Sequence, residues 1–129
     1  MMDQDALLLQ AAKDVTRPRR LSTSVEVASV GAALRTPAGR IFTGVCIDAA
    51  CGIGFCAEHG AIAAMITAGE NRIESIVAVN EVGDILSPCG RCRELVVQVD
   101  HANGDTRVLL AKGARPMRDL VPDHWLLDL

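Results

Sequence analysis

Cys56-Ala57-Glu58 and Ser87-Pro88-Cys89-Gly90-Arg91-Cys92 are the stretches from which the rest of this sequence is read. Three cysteines supply soft thiolate ligands suited to zinc, one short of the four that close a purely structural site. The missing fourth ligand leaves a position for water, and Glu58 is the proton carrier beside it. Cys89 and Cys92 stand three apart, so in the first turn of a helix their thiols point to one side. Cys56 falls at the start of another long helix. Two helix N-termini aimed at one metal, each with about half a positive charge, roughly offset the −1 of three thiolates and a zinc ion. A closed zinc site is the competing reading, with Cys46, Cys51 or His59 as fourth ligand. It leaves Glu58 without a role and does not explain the Ser-Pro before Cys89.

A ligand-x-Glu segment followed by Pro-Cys-x-x-Cys is the paired signature of zinc deaminases. The chain therefore resembles the cytidine deaminase superfamily, in the branch whose first zinc ligand is Cys. Gly39-Arg40-Ile41-Phe42-Thr43-Gly44-Val45 and the run from Ser87 to Arg93 extend the likeness. It covers residues 27–125 and is nearest to blasticidin-S deaminases and short bacterial cytidine deaminases. The resemblance implies one α/β domain over residues 1–129, with a three-layer α/β/α fold about a central mixed β-sheet. It implies a Zn2+ cofactor, Glu58 as catalytic group, and a free cytosine nucleoside or blasticidin S as substrate, hydrolysed at the C4 amine. Ala57 and Ser87 become substrate-binding residues, with the Ser87 carbonyl holding the departing amine. It further implies a homotetramer whose pockets borrow residues across subunits. Leu120-Val121-Pro122-x-x-Trp125 resembles the segment where relatives place an aromatic residue over the base, often a neighbouring subunit's; the plain alternative for Trp125 is packing of a tail.

Several positions depart from the family pattern. The ribose-binding Asn-x-Glu of relatives falls on Cys46 and Asp48. Aspartate still accepts a hydroxyl, but a thiol cannot replace the two-way hydrogen bonding of an amide. The loop leading to Cys56 is slightly shortened. An aromatic residue of many relatives is absent, with Ala28 nearby, and the Arg that often follows Cys-Ala-Glu is His59. Arg91 or Arg93 is then the candidate to balance the thiolates.

Composition narrows the classes. A 129-residue chain is long enough for one real core. Half the residues are hydrophobic, yet there is no Tyr, one Trp and two Phe, so that core is aliphatic. The net charge of −3 argues against a nucleic-acid-binding face. Arg17, Arg19 and Arg20 form the only dense basic patch, read as solvated surface. Asp3 and Asp5 flank a brief Leu7-Leu8-Leu9, so neither a signal peptide nor a membrane span is expected. Five cysteines in that setting read as thiols or ligands, and the compartment as cytoplasm.

Spacing predicts a helix over residues 3–15, stopped by Pro18. Strands over 25–34 and 40–47 pair as a hairpin around the 36–39 turn, with Gly31 allowing close approach of another backbone. Helices are expected over 55–68, with Ile62, Met65 and Ile66 inward, and from Pro88 onward, with Cys92, Leu95 or Val96, and Val99 inward. Strands are expected at 73–80 and 107–111, a turn at 103–105, and a short helix at 117–120. This strand–helix alternation implies right-handed crossovers on a mixed sheet. Met65 and Met117 read as packing, and His101 and His124 as surface. Two further functions stay open: deamination of another aminated heterocycle such as a purine, and a zinc-stabilised scaffold without turnover.

Overall fold

A computed structural model describes residues 3–126. Helix α1 (Gln4–Val15) is capped by Asp3, whose carboxylate accepts from the Ala6 N–H at 2.7 Å. It ends two residues before Arg17-Pro18, as the restriction on residues preceding proline predicts. The short β1 (Arg19–Arg20), β2 (Val25–Arg35) and β3 (Ile41–Ala49) follow. Next come α2 (Ala57–Thr67), β4 (Ser75–Asn80), β5 (Ile85–Leu86) and α3 (Gly90–Val99). β6 (Arg107–Val108) and β7 (Arg115–Pro116) complete the sheet, and 3-10 helices span His101–Asp105 and Met117–Leu120.

β2 is the hub. It pairs antiparallel with β3 on one edge and with β1 and β4 on the other. β4 pairs antiparallel with β5 and parallel with β6, which pairs antiparallel with β7. The sheet is mixed, with β4–β6 as its parallel pair among the described residues.

Strand alternation divides the apolar side chains between two faces. Leu34, Ile76 and Val108 meet Ala61, Ile62 and Met65 of α2 and Val96 and Val97 of α3. Ala33, Val77, Val79 and Leu109 face the other way, onto Leu8 and Ala12 of α1. These two clusters are the interfaces of a three-layer α/β/α structure. Leu34, Ile62 and Met65 are fully or almost fully buried, and each contributes roughly 1.5–3 kcal/mol of burial. Small residues set the layer spacing. A Cβ on Gly31 would lie 2.6 Å from the Ala12 carbonyl oxygen of α1. One on Gly44 would lie 2.3 Å from Ala61 N and 2.5 Å from Ala57 O, so α2 sits directly on the β3 backbone.

Local expectations needed correction in places. Ile66 is 50% exposed and not inward, because the α2 stripe runs through Ala61, Ile62 and Met65. Pro88 does not begin α3; Cys89 is its N-cap and Gly90 its first residue. The strand expected over 107–111 is paired only at Arg107–Val108. The 103–105 turn belongs to a 3-10 helix whose Asn103 is wholly buried. Asn103 accepts from Ile73 N at 2.8 Å and donates to the Asn71 and Val96 carbonyls, plugging the junction of α3 and β4. His124 is not at the surface: its ring is 3% exposed, with Nε2 2.7 Å from Glu94. Met65 and Met117 are both buried, as expected. Among the described residues no helix is long and apolar enough to cross a membrane.

Candidate active site

Cys56 and Cys89 occupy equivalent places, each the extended N-cap residue of a helix resting on the same face of the sheet. Ile47 and Phe55 exchange two backbone hydrogen bonds of 3.0 Å each, closing off the end of β3 and the 50–54 loop that follows it. That bridge delivers the chain to Cys56 at a fixed point beside β3. Cys92 lies in the first turn of α3, on the same side as Cys89. Their sulfurs are 3.5 Å apart, and the Cys56 and Cys89 sulfurs 3.4 Å. All three lie within 4.8 Å of one another. A tetrahedral zinc ion with bonds of about 2.3 Å holds sulfurs about 3.8 Å apart, so this triangle fits the ion. Cys46 belongs to β3 and Cys51 is an exposed loop thiol; neither joins the cluster, nor does His59.

Electrostatics follow from burial. Burial pushes the Cys56 and Cys92 thiols up, helped in both by the Cys89 thiol and the Glu58 carboxylate. Burial acts on Cys89 in the same sense but is outweighed by the Cys92 and Arg91 backbone N–H groups and the adjacent thiols, which leave it lowered. Glu58, in the first turn of α2, is 5% exposed. Burial raises its pKa against the pull of its own backbone N–H and the Cys92 thiol. A carboxyl raised in this way holds and passes protons nearer neutral pH than a solvated one does.

Glu58, Ala57, Ser87, Cys56 and Cys89 line one cavity of about 460 Å³, with Cys46 and Asp48 on its wall. That volume lies in the range of small-molecule sites. Ala49, Ile53 and Gly54 of the expected 49–54 wall line it too, as do Ser29, Val30, Phe55 and Leu86, which the sequence reading did not single out. That wall is not made of small residues alone, since Ile53 stands 88% exposed at its edge.

The Cys46 sulfur accepts from Val30 N–H at 3.3 Å, lies 3.3 Å from Ser29 Oγ, and is 3.9 Å from the Asp48 carboxylate. The chain bulges here: the β2–β3 register shifts between Val27 and Gly31, and Ala28 is held at φ 65°. A non-glycine residue in that region costs about 1–2 kcal/mol, sustained by a fully buried setting. Arg91 borders the cavity and its charge, second to burial, lowers the His59 pKa. Arg93 instead bonds the Pro88 and Leu120 carbonyls and the Ser87 hydroxyl. Trp125, 67% exposed, stacks on His124 and does not line this cavity.

A buried carboxyl beside three thiols close enough together to hold a metal ion, at the floor of such a cavity, is the equipment of a zinc-dependent hydrolase. Residues 2–104 match the family model described as the cytidine and deoxycytidylate deaminase zinc-binding region. A cytidine deaminase from Mycobacterium tuberculosis is 34% identical over 103 residues, 78% of this chain and 74% of that protein. Blasticidin-S deaminase from Bacillus cereus is 42% identical over 76 residues, 52% of this chain and 54% of that protein. The crystal structure of cytidine deaminase from Mycobacterium leprae aligns with a TM-score of 0.78 at 30% identity, over 95% of this chain and 100% of that one. The chain belongs to the cytidine and deoxycytidylate deaminase family, and it is a zinc-dependent hydrolytic deaminase.

Proposed function

We propose that the chain removes the C4 amine of a free cytosine nucleoside, or of a cytosine-bearing analogue such as blasticidin S, as ammonia. The observation that carries this reading is Glu58, a buried carboxyl next to the Cys56, Cys89 and Cys92 triangle and open to the cavity. Zinc, when bound, acidifies a water molecule to near neutral pKa. Glu58 would take one proton from the attacking water and pass it to ring N3 as the C4–O bond forms, then take the second from the C4 hydroxyl and pass it to the amine, so that the C4–N bond breaks and ammonia leaves. Ala57 and Ser87 border the space beside it and hold the base. At the far wall, the Cys46 thiol is engaged by Val30 N–H and Ser29, which leaves Asp48 to accept a hydrogen bond from the substrate's sugar. Amine release from cytidine, deoxycytidine, cytosine, blasticidin S and guanine tests the assignment. Turnover of at least one cytosine nucleoside or of blasticidin S is expected. Turnover of guanine alone, or of nothing in the panel, would overturn it.

The same reading extends to assembly. Phe55, together with His59 and Ala63 of α2 and Arg91, Glu94 and Leu95 of α3, lines an open groove, and Ile66 stands exposed on the α2 surface. Such a face supports a homotetramer. Trp125, anchored through its neighbour His124 to Glu94, then reaches toward an adjacent subunit's cavity. Trp125→Ala should raise KM while thermal stability is retained. A monomeric mass by light scattering at micromolar concentration, with full activity, is the contrary result. Free thiols, exposed at Cys51, support a reducing cytoplasmic setting.

A further inference from the structure

We propose that Arg93 is a positioning residue, whose guanidinium fixes the Ser87-Pro88-Cys89 bend and couples it to the C-terminal segment at Leu120. The proposal rests on the deaminase reading of the cavity. Arg93 Nε donates to the Pro88 carbonyl at 2.7 Å, Nη1 to the Leu120 carbonyl at 3.0 Å, and Nη2 to Ser87 Oγ at 3.0 Å. All three nitrogens of one planar group are thus engaged, each with a different acceptor.

The acceptors are chosen by the fold. Pro88 lies just before the α3 N-cap, where no helical N–H reaches its carbonyl. Leu120 closes the 3-10 helix Met117–Leu120, where carbonyls again lack helical partners. Pro88 is buried, so its carbonyl needs a protein donor.

Position gives this brace its functional meaning. Ser87 and Cys89 both line the cavity, and Pro88 is the residue between them. Arg93 therefore grips the wall that carries one of the three thiols and borders the base. A displacement of about 1 Å at such a wall can cost on the order of 10²-fold in rate. Lysine cannot reproduce the grip, because a single ammonium on a flexible stem has no planar fork to span three separated acceptors.

The test compares wild type, Arg93→Lys and Arg93→Ala as full-length, zinc-loaded proteins, with zinc content measured alongside kinetics. Both variants are expected to keep one zinc per chain. Their kcat should fall about 10- to 100-fold, with KM changed less than threefold. Added guanidinium should restore part of the loss in Arg93→Ala and none in Arg93→Lys, whose side chain fills the site. A second measurement does not depend on turnover. In the metal-free proteins, amide exchange across residues 87–92 should accelerate about tenfold while exchange in α1 stays unchanged. Should Arg93→Ala fail to fold, the charge-preserving Lys variant carries both measurements. Unchanged kcat and unchanged local exchange in Arg93→Lys would overturn the assignment, as would a rate loss explained entirely by missing zinc. Accelerated exchange in the variants, alongside a wild type that deaminates nothing in the substrate panel, would overturn the deaminase reading and leave the brace standing.

Discussion

Glu58→Gln should bind zinc, fold normally and lose turnover by several orders of magnitude. The substitution keeps the size and polarity of a residue that is 5% exposed, so packing in the first turn of α2 is preserved. Proton transfer is what disappears. Acid–base assistance alone contributes about 10²- to 10⁴-fold, and in the proposed mechanism this carboxyl serves more than one step. Its pKa, raised by burial in the thiol-lined floor of the cavity, suits it to that work. The measurement is kcat on whichever substrate proves active, with zinc content and thermal unfolding as controls. Near-normal turnover in the zinc-loaded variant would show that another group carries the proton.

Removing a ligand acts at an earlier stage. Cys89 is the middle of the triangle, 3.4 Å from the Cys56 sulfur and 3.5 Å from that of Cys92. Cys89→Ala leaves two thiols, fewer than the three protein ligands that hold a catalytic zinc. Dialysis against a mild chelator should strip the ion from the variant while wild type keeps one zinc per chain. Activity should be lost in proportion. The fold should survive, since Cys89 is an exposed N-cap and the apolar clusters on both faces of the sheet do not include it. Full zinc retention in Cys89→Ala would refute the ligand assignment.

Much of this was legible in the residues themselves. The thiol triangle and Glu58 follow from short spacings at two helix starts, and those helices have strong local signals. The hairpin of β2 and β3 and the close approach at Gly31 were equally open, since both depend on nearby turn and glycine chemistry. What escaped was non-local. Nothing around Ala28 announces a left-handed residue; the bulge exists because β2 must meet β1, β3 and β4 at once. Asn103 read as a turn residue because its four hydrogen bonds go to Asn71, Arg72, Ile73 and Val96. His124 read as surface because Glu94, its partner, lies 30 positions earlier. The cavity wall at Ser29 and Leu86 is likewise assembled from separate strands, each unremarkable alone.

The contact of Gly44 with the start of α2 separates chemistry from specificity. Main chain rests on main chain there, so the depth of Cys56 and Glu58 below the cavity mouth is set without any side chain. The 50–54 loop is held at its ends, by the Ala50 N–H bond to the Ser24 carbonyl and by the Ile47–Phe55 bridge, and its Ile53 at the cavity rim is largely exposed. Substitutions in that loop reshape the opening while the metal-binding floor stays where it is. One chassis can thus be refitted for a different sugar or antibiotic by exchanging a few residues at the rim, with the proton-transfer machinery inherited unchanged.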